Sequence, residues 1–452
     1  MHPWIGAGDE DRRAILDELG LESIDDLFRT VPAEVSIDRL ELEPGRDEDT
    51  VFRMMAAMAT RNTAMDSQPC FLGAGVYRHV QPSVVDAVLS RAEFFTSYTP
   101  YQPEITQGTL QVIFEFQTLI GQLTGCDVAN ASLYDGATSM VEAALFAHRV
   151  LRGKRNRVVI ADTVHPLYRA TLKTYTDAEG IEVVTVPAAT DGRVDTDRLA
   201  SAVDADTCCV IVQSPSFVGT VEDLPSIAEI AHAEGALAVQ VVTEAVSLGL
   251  LHGGGAFGFD VVCGEAQSFG VAPGFGGPHV GFFACSEQHI RQMPGRLCGE
   301  TVDEDGRRAF CLTLSTREQH IRRGKATSNI CTNQGLMALA ATVWLESLGG
   351  TGLRQLAHDC LSRSEELKRR IASLDGPWSL AYPSSPTFNE FLVTGPGRGA
   401  ELAARLASEG ILAGVPTTRW SGSWPDGLLI AVTERNSASD IEALVEALGR
   451  VA

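Results

Sequence analysis

The sequence predicts an α/β protein, with a large, mainly parallel sheet covered by helices and a smaller C-terminal α+β domain. Three observations carry that expectation. From about residue 70, short strand-like runs alternate with helix-length stretches. The runs are apolar almost throughout, as strands buried on both faces must be. The 452 residues are 44% hydrophobic and 21% charged, ordinary globular usage that supports a large core. The domains are expected at 1–69 (a helical arm), 70–334 (the large α/β domain) and 335–452 (the small domain).

In chain order, residues 9–30 place Ile15, Leu16, Leu19, Ile24, Leu27 and Phe28 near helical spacing, broken at Gly20 and stopped before Pro32. Val51 to Met65 reads as a second helix. Arg157 to Ala161, Cys208 to Val212 and Ala236 to Val242 are short buried strands, and the helix Leu224 to Glu234 between the last two makes a βαβ crossover. Asp260 to Cys263 and His279 to Ala284 continue the series around the glycine-rich stretch Phe269 to Pro278, best explained as turns that need positive φ. A helix from Gly335 to Leu348 leads into the small domain, with strands around Phe391 to Val393 and Leu428 to Val432.

Composition excludes several functions. With 36 Lys plus Arg against 58 Asp plus Glu the net charge is −22, which argues against nucleic acid, since phosphate neutralisation needs a basic surface. The acidic start lacks the pattern of a secretory signal and no run of 18 apolar residues occurs, so a cytoplasmic protein without a membrane partner is expected. The ten cysteines form no CxxC pair, which fits reduced, mostly buried thiols better than a disulfide framework or zinc site, and no metal ligands are expected. Lysine is scarce, occurring only at Lys154, Lys173, Lys325 and Lys368.

Candidate chemistry sits in loops at strand ends, where open α/β sheets place ligands. Asp135, Thr138 and Ser139 open a helix and offer hydroxyls and free N–H groups to an anion, although a plain helix cap would use the same residues. His165 follows a strand and could stack on an aromatic ring, or be a structural histidine. Glu244 follows the third strand and could face a protonated ring nitrogen. The order is that of a pyridoxal-phosphate enzyme, except for the last member. The loop Gly264 to Gly270 carries Gln267 and no lysine lies between Lys173 and Lys325. An amide cannot form an imine with an aldehyde, so chemistry that needs an internal aldimine is excluded at this site.

Three long motifs in order are more specific than any of these. Ser97-Tyr98-Thr99-Pro100-Tyr101-Gln102-Pro103-Glu104 running on to Gln111, Leu123-Thr124-Gly125-Cys126-Asp127 running on to Ser132, and Lys325-Ala326-Thr327-Ser328-Asn329-Ile330-Cys331-Thr332 strongly resemble the P-protein family of the glycine cleavage system, over nearly the whole chain. Length and the missing lysine resemble the lysine-lacking chain of the two-subunit form. The resemblance implies a fold type I, aspartate-aminotransferase-like domain and an α2β2 assembly with a lysine-bearing subunit 2. In that enzyme glycine is decarboxylated on pyridoxal phosphate and the aminomethyl group passes to the lipoyl arm of the H-protein. The cofactor is then expected on the partner's lysine, not covalently on this chain.

Within that resemblance, Gln267 takes the Schiff-base lysine position and Glu244 that of the ring-nitrogen aspartate, so Asp135, Thr138, Ser139, His165, Glu244 and Gln267 form a degenerate cofactor pocket. Because fold type I sites lie at subunit interfaces, this chain would complete the partner's site. Tyr98, Tyr101 and Gln102 would face glycine or the lipoyl entrance, and Thr327, Ser328 and Asn329 the partner's phosphate, with Lys325 nearby. Interface packing alone would also explain these residues. Lys154, Lys173 and Lys368 read as solvated charges. Two other classes stay open: a stand-alone pyridoxal-phosphate enzyme using a different lysine, which would show an aldimine band in isolation, and a pseudoenzyme that only stabilises its partner, whose interface-loop variants would leave turnover unchanged.

Overall fold

The computed structural model describes residues 6–37, 40–95 and 98–451. The chain divides into two compact units, Met1–Thr63 and Ala64–Ala452. In the first, the helix Asp9–Leu19 ends at Gly20 in the left-handed conformation, a 3₁₀ turn covers Ile24–Phe28, and a second helix spans Glu48–Ala59 with Asp47 accepting from the Thr50 N–H as its cap. None of these elements buries a residue.

The second unit is built on a seven-stranded sheet. Its strands are β1 (Val128–Ala129), β2 (Arg157–Ala161), β3 (Glu182–Val186), β4 (Thr207–Gln213), β5 (Leu237–Val242), β6 (Val261–Glu265) and β7 (Gly281–Cys285), in the order β1-β7-β6-β5-β4-β2-β3. Strands β2 to β6 pair in parallel and β7 runs antiparallel to both its neighbours. Every residue of β4, β5, β6 and β7 is buried, which is why these strands read as unbroken apolar runs. Strand β3 was missed in the sequence because it is an edge strand whose residues are mostly partly exposed.

Helices cover the sheet and begin at its strand ends. Gly136–Val150 starts at Asp135, Pro166–Glu179 at His165 and Leu224–Ala233 at Asp223, each N-cap side chain accepting a backbone N–H, with proline in the first turn of the last two. A hairpin of β8 (Leu297–Val302) and β9 (Arg308–Thr313), not anticipated, packs against the helix Gln107–Thr124 through Leu110, Ile113, Cys298 and Phe310.

The helix expected at Gly335 continues to Ala372, interrupted only by Gly349, whose φ of 61° and ψ of 177° no β-carbon-bearing residue adopts comfortably. It is long and apolar enough to cross a membrane, yet it buries Ala338, Trp344, Leu345, Leu353, Cys360 and Leu367 in the protein's own core. The C-terminal sheet has the order β10-β11-β13-β12, from β10 (Ser379–Leu380), β11 (Glu390–Thr394), β12 (Val415–Pro416) and β13 (Leu428–Ala431), all antiparallel. Its core includes Phe71, whose backbone bonds Leu412 and Ala431. The segment after Phe71 then runs along the C-terminal ends of the large sheet's strands, and that path decides the character of the site.

Candidate functional site

At the C-terminal end of β2, Asp162 to Val164 lead to His165, the cap of the helix Pro166–Glu179. Its backbone N–H donates to Gln213 Oε1 at 2.8 Å, its Nδ1 accepts from the Leu167 N–H at 3.2 Å, and its Nε2–H donates to the Ala74 carbonyl at 2.9 Å. These bonds assign a neutral imidazole with the proton on Nε2. Burial depresses the ring's pKa to about 4. Around the ring stand Tyr168 at 4.9 Å, Phe217 at 5.2 Å and Trp420 at 6.2 Å, and the backbone of Gly75 lies so near that a β-carbon there would be 3.0 Å from the imidazole. Gly75 has φ +95°, so glycine serves both the close approach and the turn.

The start of the helix Gly136–Val150 is equally engaged. Asp135 accepts from the Thr138 N–H at 2.7 Å, and Ser139 Oγ donates to the Asp135 carbonyl at 2.7 Å. The Gly136 N–H, which an anion would need, donates to Glu265 Oε2 at 3.0 Å, while Glu265 Oε1 accepts from the Gln267 and Val280 N–H groups, both at 3.0 Å. A buried carboxylate thus already occupies the positive end of this helix.

Gln267 is 2% exposed and both ends of its amide are tied to the chain. Oε1 accepts from the Tyr77 N–H at 3.0 Å, and Nε2 donates to the carbonyls of Tyr77, at 3.1 Å, and Val271. Tyr77 in turn donates its hydroxyl to Glu390 at 2.8 Å, and Glu390 also accepts from the Ala74 N–H. Burial raises the Glu390 carboxyl to about 7. Glu244 is buried, accepting from the Val246 N–H at 3.0 Å and standing 3.2 Å from His79 Nε2.

Asp135, Thr138, Ser139, His165, Glu244 and Gln267 therefore lie along one end of the sheet, and the segment Gly73 to His79 is laid against His165, Gln267 and Glu244. These residues do not fit pyridoxal phosphate: the Gly136 N–H is taken by Glu265, the His165 ring is approached closely by Gly75, and the Gln267 amide is bonded to Tyr77. Sequence reasoning missed Gly75, Tyr77, Glu265 and His79. The small-residue run Gly73-Ala74-Gly75 was the available sign of close approach, and Glu265, at the very end of β6, was the available sign of a competing anion.

The other group of candidates is at the surface. Ser97 lies outside the described residues. Tyr98 is 83% exposed, and Tyr101 and Gln102 are also exposed. Tyr101 Oη accepts from Arg296 Nη2 at 3.4 Å, with the guanidinium 5.5 Å from the ring centre. Arg296 also donates to Asn333 Oδ1 at 3.3 Å, and its Nε lies 3.9 Å from Glu318 Oε2, each of these two buried atoms having no hydrogen bond. Asn333 donates to the Ala131 carbonyl and Ser132 Oγ, joining this rim to the loop before Asp135. Along the same loop Lys325 and Asn329 are exposed and Thr327 and Ser328 partly so, with the Thr327 N–H bonded to the Arg317 carbonyl and Ser328 Oγ accepting from the Ile330 N–H. Arg296, buried and unmarked in the sequence reading, links Tyr101 to the loop 325–333.

Comparison with known proteins agrees with this architecture. Residues 2–448 match the family described as glycine cleavage system P-protein. A curated relative from Caulobacter vibrioides (strain NA1000), a probable glycine dehydrogenase (decarboxylating) subunit 1, is 50% identical over 445 residues, 98% of each chain. Another of the same description from Anaeromyxobacter sp. (strain Fw109-5) is 52% identical, covering 97% of this chain and 98% of that one. A crystal structure of glycine decarboxylase (P-protein) of the glycine cleavage system, in inhibitor-bound form, superposes with a TM-score of 0.91 at 40% identity, covering 99% and 100% of the two chains. A Burkholderia pseudomallei sphingosine-1-phosphate lyase shares the fold, with a TM-score of 0.66 at 17% identity over 92% and 93% of the chains. The large sheet and small C-terminal sheet are those of fold type I pyridoxal-phosphate enzymes. Matched almost end to end by chains described as subunit 1, this protein belongs to the P-protein family of the glycine cleavage system.

Proposed function

We propose that this chain is the non-lysine subunit of a two-subunit glycine-decarboxylating enzyme, acting in the cytoplasm as part of an α2β2 assembly with a lysine-bearing subunit 2. The partner anchors pyridoxal phosphate, which accepts the electrons left when glycine loses CO2, and the lipoylated H-protein receives the aminomethyl group. The observation that carries this reading is Gln267: an amide where an imine would need an amine, buried and with both of its ends bonded to the chain at Tyr77 and Val271.

What this chain contributes is a rim. Tyr98, Tyr101 and Gln102 supply exposed phenols and an amide on the glycine or lipoyl side, and Thr327, Ser328 and Asn329, with Lys325, supply hydroxyls, an amide and a charge toward the partner's phosphate. Hydroxyls suit such a place because they donate hydrogen bonds without a titrating charge. Arg296, braced against Tyr101 and Asn333, holds the two halves of the rim in register. The test is glycine-dependent CO2 exchange with H-protein and pyridoxal phosphate, using this chain, the lysine-bearing subunit, and both. Activity in the mixture alone supports the proposal; activity of this chain by itself overturns it.

A further inference from the structure

Behind the filled pocket, three side chains from distant parts of the chain converge on one point. His79 comes from the segment that crosses the pocket, Cys360 from the second half of the helix Gly335–Ala372, and Glu434 from the loop after β13. His79 Nδ1 is 2.8 Å from Glu434 Oε2, Cys360 Sγ is 3.5 Å from the same oxygen, and the three donor atoms all lie within 4.8 Å of one another. On its far side His79 Nε2 faces Glu244 Oε2 at 3.2 Å. We propose that His79, Cys360 and Glu434 form a metal site for Zn2+ or a similar divalent transition ion, with Glu244 as the carboxylate that orients the histidine.

The donor set fits such an ion. An imidazole nitrogen, a thiolate and a carboxylate oxygen are the ligand types zinc takes, at about 2.0–2.3 Å, so neighbouring donors around a tetrahedral ion stand roughly 3.2–3.7 Å apart. The sulfur–oxygen separation is already in that range, and the nitrogen–oxygen pair opens by about half an ångström. A histidine that binds metal through one nitrogen commonly gives its other N–H to a carboxylate, as His79 gives Nε2–H to Glu244. The remaining Glu434 oxygen is fixed by the Val80 N–H at 2.6 Å, and Arg363 holds the Glu434 carbonyl at 2.8 Å. A water would complete the coordination beside Glu434, the one partly exposed member.

Charge favours the same conclusion. Glu244 and Glu434 bring two carboxylates to one imidazole, and among the described residues no lysine or arginine pairs with either. Binding displaces the Nδ1 proton of the imidazolium and the thiol proton of Cys360, so one divalent cation enters as two protons leave and the net charge of the cluster is unchanged. The ion would tie the crossing segment to the long helix and the C-terminal domain. The cluster shares no residue with the rim proposed to meet the partner, and the inference does not depend on the proposed activity.

The test uses the full chain, stripped with chelator and reloaded with Zn2+ or Co2+. One equivalent of metal, a raised Tm and, with cobalt, a thiolate-to-metal charge-transfer band are expected. Cys360→Ser should abolish the band while leaving the circular dichroism of the chain intact, and Glu244→Gln should weaken binding by roughly 10–100-fold. A wild-type chain that retains no metal and shows no change in Tm, or a cobalt band that survives in Cys360→Ser, overturns the proposal.

Discussion

Replacing Gln267 with lysine introduces the amine that imine formation with pyridoxal phosphate needs, yet the structure predicts that the substitution damages the protein without creating a cofactor site. The Tyr77 N–H loses its acceptor, Gln267 Oε1, in a place where Gln267 is 2% exposed and Tyr77 is buried. An orphaned buried donor costs about 1–3 kcal/mol. The new amine must also be buried, either neutral with a depressed pKa or charged without a paired carboxylate, at a cost of about 2 kcal/mol or more. Together Gln267→Lys should lose about 3–5 kcal/mol, which at the usual unfolding entropy of a unit this size lowers Tm by about 4–6 °C. Thermal unfolding of the isolated chain measures the loss, and borohydride reduction after adding pyridoxal phosphate measures imine formation. A variant as stable as the parent that forms a reducible imine at position 267 would refute the claim that the crossing segment closes this pocket.

Other outcomes follow from the same contacts. Gly75→Ala places a β-carbon 3.0 Å from the His165 ring at φ +95° and should cost about 2–3 kcal/mol in urea unfolding; an unchanged midpoint contradicts the close approach. Glu390 has its carboxyl raised to about 7, so its contribution to stability is fully present below the unfolded value of about 4.5 and is lost as pH rises through 7. The loss is about 3 kcal/mol, and Glu390→Gln should flatten the stability profile between pH 5 and 8; parallel profiles would contradict this. Thr327→Ala with Ser328→Ala should weaken cofactor retention in the reconstituted complex by about tenfold or more, and unchanged affinity removes the phosphate role.

The parallel sheet was legible in the sequence because burial on both faces leaves β4, β5 and β6 with few polar residues and β-branched side chains at half of their positions. Edge strand β3 and the β8–β9 hairpin were not, since partly exposed strands lack that signature. The helix start at Asp135 was readable from its capping residues, which act within one turn. What filled the pocket was not readable. Tyr77 meets Gln267 across 190 positions and Ala74 meets Glu390 across 316, and no local pattern encodes contacts at that separation. Arg296 escaped notice for the same reason: its partners Tyr101 and Asn333 come from opposite sides of the hairpin in sequence.

The central claim is that the cofactor's lysine belongs to the partner, and it can be read directly. The complex of this chain with the lysine-bearing subunit, loaded with pyridoxal phosphate and reduced with borohydride, carries the modified lysine permanently, and peptide mass spectrometry locates it. The account predicts a pyridoxyl-lysine in the partner subunit and none on this chain. A stoichiometric pyridoxyl group on Lys154, Lys173, Lys325 or Lys368 would contradict it.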